Sequence, residues 1–529
     1  MVAAAAARPL SEREACVLAT RFYYVKKLGH KIQKTKSLQA LNLVYSPLHA
    51  DAERHTSPEY YVFAPEDNKG FVIVSGDDRT HRPIVGYSLD SEFKTNPSQS
   101  FKDYLTSYMR YVDSLRVGRA ETKELRKTTP VEPLVQTQWS QNSPYNTFCP
   151  ELNGKRVPTG CTATALAQIM HHHAWPKQGG GVCQAHVISA DTTISEVELG
   201  EAYDWEKMRR SYSTSFKAKI DAEGVARLMR DVGHAIEMKY MSAVSTAVDV
   251  DVVEALLYHF DYSPRLRHLF RDYFTDDEWH RIISAELAEG RPVYYSARPQ
   301  WATSGHAFVC SGMDDQGRLY INWGWGGEFD GYFDFEVVAD YRRGFNYMQH
   351  AIIGIRPRTG EEHVEDYSTL PHVGRIEVTE QDTTKFIPTA RITVYVQNPH
   401  HRPVEGQLGM AVYDAQGNRL SIRALYTYSL DPDHYRWYSR VLVNPGMLSP
   451  DAEYTICFLW LPKGEKHWQH PMGDLYTLRL VMGSTGGHSD SHYAPQLVEA
   501  TPKHHIIDGV ASAYHAARYN IKYGADFLK

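Results

Sequence analysis

The sequence predicts an α+β protein of several domains, and three observations carry that prediction. Within residues 130–358 a helix-rich half is followed by a strand-rich half. Ahead of it, a hairpin pattern flanked by helical spacing forms an N-terminal α/β region. From about residue 359, apolar and polar residues alternate between turn signals, the pattern of an all-β, immunoglobulin-like sandwich. A chain of 529 residues is too long for one core. The expected boundaries are 1–10 as a terminus or signal remnant, 11–128, 129–358, 359–482, and a tail of unassigned role at 483–529.

The elements follow in order. Met1-Val2, then alanine from Ala3 to Ala7, lacks the basic and long apolar regions of a complete signal peptide. It reads either as what remains near a cleavage site or as a disordered natural terminus. Ser11 with Glu14 three residues on forms a capping box that starts a helix. Tyr60–Phe63 and Gly70–Val74 read as a hairpin around Pro65, Asp67 and Asn68, and Ile84–Tyr87 as a further strand. Phe101, Leu105, Tyr108, Val112 and Leu115 share one face of a helix over 99–116. Residues 120–129 are polar and aperiodic, an exposed linker open to proteolysis or an ordinary interdomain loop. Helices are expected at 161–173, 215–233, 248–260 and 275–289, then strands at 293–295, 306–310 and 319–323 with a turn at 314–317. Beyond them, 375–378, 390–397, 407–414 and 454–461 read as strands, and 508–522 as a helix.

Composition narrows the function. A net charge of −6 with 23% charged residues argues against a nucleic-acid binder, which carries a strongly basic domain. No run approaches 18 apolar residues, so no membrane span is expected. Six cysteines, at 16, 149, 161, 183, 310 and 457, show no zinc-site spacing and are too sparse for a disulfide scaffold. If any pair, Cys149 and Cys183 are the first choice, because they flank one segment. No cofactor and no metal is expected. His171-His172-His173 point about 100° apart on a helix and cannot converge on one ion. A helix C-terminus, which favours cations, accounts for them better.

The chemistry concentrates in four places. Gly160-Cys161 opens a helix of small and apolar residues, where the unpaired N–H groups favour a thiolate. The same segment also fits a structural cysteine in a core helix. His306 enters an apolar strand 145 residues later, within the spacing of papain-like Cys–His pairs, although lone strand histidines are often structural. Asn322 is a candidate to orient that imidazole, with Trp323 or Trp325 as a lid or cleft wall; a hairpin with core tryptophans is the alternative. For an oxyanion, the Cys161 backbone N–H and the Gln141 side-chain amide are the candidate donors, with Gln138 the nearest rival. Cys310, mid-strand in an apolar run, reads as inert core.

Taken together, Gln141–Asn146, Gly160–Met170 with His173 and Pro176, Gly233–Tyr240, Gly305–Val309, and Asn322–Gly327 with Asp330-Gly331 resemble the streptopain family of papain-like cysteine peptidases. Gly70–Asp77 and Val85–Ser88 resemble that family's inhibitory propeptide. The resemblance implies a papain-like two-lobed domain, endopeptidase activity on protein and peptide substrates, and secretion by a bacterium. It implies a zymogen whose own propeptide docks on the catalytic domain, displaces the histidine, and is removed by autolysis near 120–129. It also implies that the tryptophan–glycine loop supports the histidine, which weakens the orienting role for Asn322. Residues 239–247 align with a loop beside the cleft but depart from its glycine/serine-rich form, leaving subsite preference open. Two competing functions stay on the table: a Cys–His acyltransferase, and a surface adhesin whose sandwich contacts a host protein, a glycan or the cell surface.

Overall fold

The computed structural model describes residues 9–29, 38–47, 57–80, 82–118, 127–189, 192–215, 220–241, 245–247, 249–263, 266–271, 276–298, 305–334, 347–359, 371–382, 389–397, 403–414, 419–430, 435–442, 453–469, 476–484 and 493–502. Most of the 120–129 linker and the helix expected at 508–522 lie outside them. The chain divides into two compact units, 1–262 with 276–357, and 263–275 with 358–529.

In the first unit, helix α1 (Glu12–Leu28) starts as the sequence predicts. The Ser11 N–H donates to Glu14 at 2.9 Å and the Glu14 N–H returns to Ser11 Oγ at 3.3 Å. Strands β1 (Asn42–Tyr45), β2 (Tyr60–Ala64), β3 (Phe71–Ser75) and β4 (Ile84–Ser88) form an antiparallel meander. Helix α2 (Gln99–Arg116) buries Phe101, Leu105, Tyr108, Val112 and Leu115, the face its periodicity marks out. Helix α3 (Cys161–His173) follows, then α4 (Glu223–Ala235) and α5 (Asp249–Glu254). α5 continues as a π-turn over Ala255–His259 rather than as the single α-helix expected. Helix α6 (Asp276–Ala288) leads into strands β5 (Val293–Arg298), β6 (His306–Met313), β7 (Leu319–Asn322), β8 (Gly331–Phe333) and β9 (Tyr347–Ile353).

These strands join the N-terminal meander in one sheet, in the order β1-β2-β3-β4-β8-β7-β6-β5-β9. The seam is β4 against β8, with Tyr87 opposite Tyr332 and Gly86 opposite Phe333. Close approach requires the glycines there: a Cβ on Gly86 would sit 2.6 Å from the Phe333 ring, and one on Gly331 2.4 Å from the Tyr87 carbonyl. Two buried ion pairs and one exposed pair reinforce the seam. Arg82 pairs with Asp334 at 3.2 Å, both side chains fully buried. Arg318 pairs with Asp314 at 2.6 Å and donates to the Ile84 carbonyl, and Lys26 on α1 reaches Asp315 at 2.6 Å.

The second unit carries strands β10 (His372–Asp382), β11 (Thr389–Gln397), β12 (Val404–Tyr413), β13 (Arg419–Leu430), β14 (Tyr435–Leu442), β15 (Glu453–Pro462), β16 (Tyr476–Ser484) and β17 (Tyr493–Pro502). They form a three-stranded sheet, β10-β11-β14, and a five-stranded sheet, β13-β12-β15-β16-β17. β17 lies beyond the boundary expected at 482 and pairs along the whole of β16, with Tyr476 opposite Pro502 and Ser484 opposite Tyr493. The two prolines in β17 hide its strand character from a propensity reading.

Candidate active site

Helix α3 presents Cys161 as its first residue, half-buried. Gly160 makes that entry possible twice over. Its φ is 89°, a left-handed value, and a Cβ would fall 2.6 Å from Met238 Cε. No side chain caps the helix in the usual way; Thr164 Oγ1 instead donates back to the Gly160 carbonyl at 3.0 Å. Behind Cys161, Thr162 to Met170 are all buried, so the helix is held on every side.

Gln141 is tied to this entry. Its carbonyl accepts the Thr159 N–H at 2.9 Å, two residues before Cys161, and the residue is half-buried. Gln138, its rival, packs its side-chain amide on Gly327: a Cβ there would meet Gln138 Nε2 at 2.8 Å.

His306 opens β6 at 5% exposure. Its Nε2 lies 2.9 Å from the Trp323 carbonyl, and its ring stacks on Trp325 with centroids 4.7 Å apart. Trp325 in turn stacks flat on Trp323 at 5.1 Å and 7°. Burial pulls the imidazole down to about 4, against the raising effect of the Trp323 carbonyl. The imidazole is therefore neutral at pH 7, with one ring nitrogen committed to a backbone carbonyl.

Asn322 is not a partner of that imidazole. Its Oδ1 accepts from Gln168 Nε2 at 3.0 Å and from the Gly324 N–H at 3.1 Å, and its Nδ2 donates to the Thr137 carbonyl at 2.7 Å. Gln168 Oε1 also accepts from Thr137 Oγ1 and the Trp139 N–H. Asn322 thus bolts β7 to α3 and to the strap at 137–139. Sequence reasoning gave Gln168 no role, although an amide amid the small and apolar residues of α3 was a visible anomaly. Asp330 was missed as well. Buried at 2% exposure, it accepts the Trp323 N–H at 2.9 Å, so both polar atoms of the Trp323 backbone are spoken for.

Helix α2 packs on the same loop. Phe101 stacks on Phe329 at 4.4 Å and meets Trp323 edge-on at 5.6 Å, while Tyr104 donates its hydroxyl to the Asp334 carbonyl at 3.1 Å. The N-terminal region thus presses on the segment that receives His306.

Cys16, Cys149, Cys161, Cys183 and Cys310 stand as thiols, so the Cys149–Cys183 couple is not made. Burial pushes the Cys149 and Cys183 thiols up to about 12 and Cys310 higher still. His171 contacts the Met208 carbonyl, and His172 the Leu134 and Gly290 carbonyls. Burial lowers His171, and takes His173 to about 4. Those two are neutral fillers rather than the helix-terminal cations expected, because desolvation outweighs the dipole. Among the described residues no helix is long and apolar enough to cross a membrane.

Comparison with known proteins accords with this geometry. The Peptidase C10 family model matches residues 139–333, and the Spi protease inhibitor model matches residues 7–112. Streptopain of Streptococcus pyogenes is 30% identical over 320 residues, 54% of this chain and 78% of that protein. The thiol protease/hemagglutinin PrtT of Porphyromonas gingivalis is 30% identical over 362 residues, 64% of this chain; the match spans only 41% of PrtT. A solved fragment of Prevotella intermedia prointerpain A, a cysteine-to-alanine mutant, superposes with a TM-score of 0.52 at 28% identity, covering 60% of this chain and all of that one. The chain belongs to the Peptidase C10 family, the streptopain-like cysteine endopeptidases, and carries an inhibitor-type propeptide ahead of its peptidase segment.

Proposed function

We propose that this chain is the latent form of a secreted bacterial cysteine endopeptidase in which Cys161 is the nucleophile and His306 the general base. The observation that carries the reading is the contrast at the site. A cysteine stands at a helix N-terminus, and a buried histidine has Nε2 on the Trp323 carbonyl beneath a propeptide helix. Residues 11–128 act as the inhibitor and 129–358 as the papain-like two-lobed domain. Release of the propeptide frees Trp323 and His306. His306 then takes the Cys161 proton, and the thiolate attacks the scissile carbonyl. The Cys161 N–H and the Gln141 amide receive the oxyanion, and Trp325 covers the imidazole. The imidazolium gives its proton to the leaving amine, and water hydrolyses the thioester. The tether from Gln141 to Thr159 supports the oxyanion role. Asn322 acts at one remove, by fixing the loop that holds Trp323.

The two sheets of the second unit form a β-sandwich. They are offered as a surface for a host protein, a glycan or the cell surface, in line with the name hemagglutinin carried by PrtT. The test is expression of the full chain with and without Cys161→Ala, followed by gel and N-terminal sequencing. The wild type should lose about 13–14 kDa, ~120 residues at ~110 Da each, by cleavage near 120–130. It should then hydrolyse casein in a manner blocked by a thiol alkylator, while Cys161→Ala stays whole. If both stay whole and neither cleaves casein after limited trypsin nicking, the reading fails.

A further inference from the structure

Asp330 is a buried carboxyl for which the acyl-transfer chemistry has no use. Its Oδ1 accepts the Trp323 N–H at 2.9 Å, and the carbonyl of the same residue faces His306 Nε2 at 2.9 Å. One residue therefore joins the carboxyl to the imidazole, and its ring is wedged between Trp325 and Phe101. On its other side Asp330 lines a cleft of about 490 Å³. One wall of the cleft is N-terminal, from Lys26 and Tyr87 to Asp90; the other is Glu132, Arg210, Asp314, Asp315 and Tyr320. Burial raises the Asp330 carboxyl to about 7, opposed by its bond from the Trp323 N–H and by the Arg210 charge. The neighbouring Tyr320 phenol is pushed far above its ordinary range by burial, with the Asp330 charge adding to it, and stays neutral.

We propose that Asp330 is a positioning residue for the histidine, acting through the Trp323 backbone, and that it couples the histidine to whether the N-terminal wall of the cleft is in place. The inference rests on the reading of His306 as the base. With the wall in place the carboxyl is almost wholly buried and holds the Trp323 N–H as a weak acceptor. When Lys26 and Tyr87–Asp90 leave, the carboxyl itself is opened to water and gives its proton to it. The resulting carboxylate, still faced by Arg210, draws the Trp323 N–H more strongly. The Trp323 backbone turns with it, and its carbonyl lets go of His306.

The experiment has two arms. In the first, the full-length chain and its Asp330→Asn variant are processed, the variant in trans by a trace of wild type, and kcat and KM are followed from pH 5 to 9. The amide keeps an acceptor for the Trp323 N–H but cannot ionise. The variant should lose about tenfold in kcat across pH 5 to 9 with KM within about twofold, because the opened carboxyl of the processed wild type is ionised over that whole range. In the second arm, His306 ring resonances are titrated by NMR in the full-length Cys161→Ala chain with and without Asp330→Asn. The wild-type carboxyl should impose a second inflection near pH 7 that the amide abolishes. An unchanged kcat in the first arm, or an inflection in the second that survives Asp330→Asn, overturns the proposal. Should the amide variant not fold, Asp330→Glu keeps a carboxyl and must keep the inflection at a moved midpoint; its absence is equally fatal. The second arm needs no turnover, so an inactive wild type would sink the base assignment without touching this result.

Discussion

The two halves of the proposed catalytic pair are held in opposite ways. Cys161 is presented: half-exposed, first residue of a helix, its position set by the left-handed φ of Gly160 and by Met238 behind it. His306 is stored: 5% exposed, stacked on Trp325, its Nε2 on a backbone carbonyl. The fold completes the nucleophile's setting with local geometry, whereas it makes the base's setting depend on what packs against the tryptophan loop. Under the proposed reading, that difference places latency behind the base rather than over the nucleophile. An inhibitor that buries the nucleophile must cover an open cleft; one that leans on Trp323 and Phe329 through Phe101 can act from behind the base.

The largest expected effect tests the stored half. His306→Gln should lower kcat/KM on a peptide substrate by about 10³-fold or more, the scale of a lost general base. Its thermal melt should not fall comparably, because the native imidazole is already neutral. An enzyme within tenfold of wild type would remove His306 from the chemistry and break the comparison.

Next is the lock. Arg82→Ala strips the buried Asp334 of its ion-pair partner at the seam between β4 and β8, a loss of about 3–5 kcal/mol. The propeptide should dock less tightly, so self-processing of the full chain, timed by gel, should quicken several-fold while the mature enzyme's kcat/KM is unchanged. Equal processing times would mean that the seam does not set latency.

Acid sharpens the same point with a defined sign. Burial depresses His306 to about 4, so the neutral imidazole stabilises the folded zymogen fully above about 6.5, and that contribution is lost as pH falls through 4. The difference corresponds to about 3 kcal/mol. His173 and His234, also near 4, share the sign. Asp330 runs the other way: raised to about 7, it contributes stability below the ordinary carboxyl range and loses it as pH rises through 7. Denaturant unfolding of the Cys161→Ala chain should show stability falling from pH 6.5 to 4, less steeply with His306→Phe. An identical slope in the variant would contradict the burial of that imidazole.

The smallest effect tests the presented half. Gly160→Ala should cost about 1–3 kcal/mol of stability, from the left-handed φ and the Met238 contact. It should also lower kcat by misplacing the helix entry. Adding Met238→Ala should recover the steric part but leave the φ penalty. A neutral Gly160→Ala would mean that the helix start is not fixed by this residue.

Much of the first unit was legible in the sequence, and the reasons are local. The capping box at Ser11 and Glu14, the Phe101-to-Leu115 face and the start of α3 at Cys161 depend on residues a few positions apart. Other features depend on tertiary neighbours and carry no local mark. The turn of α5 into a π-helix is one, and the pairing of β4 with β8 across more than 240 residues is another. The site divides in the same way. Cys161 and His306 stand out by motif and spacing. Asn322 bonds to Gln168, Thr137 and Gly324, two of them far along the chain, so its setting is fixed by tertiary neighbours that its motif does not show. Asp330 was visible in the motif, but its bond to the Trp323 N–H needed the loop's three left-handed glycines to be seen in space.

The most direct test of presented nucleophile and stored base is the alkylation rate of Cys161 by iodoacetamide at pH 6. It is measured on the intact chain and on the self-processed chain, with the modified peptide identified by mass. Cys149, Cys183 and Cys310, buried and with thiols at about 12 or above, should stay unmodified in both and serve as internal controls. The account predicts at least a tenfold faster reaction after processing, because only then can His306 take the thiol proton and hold the thiolate as an ion pair. Equal rates in the two forms would show that the base is already engaged beneath the propeptide, and would contradict the central claim.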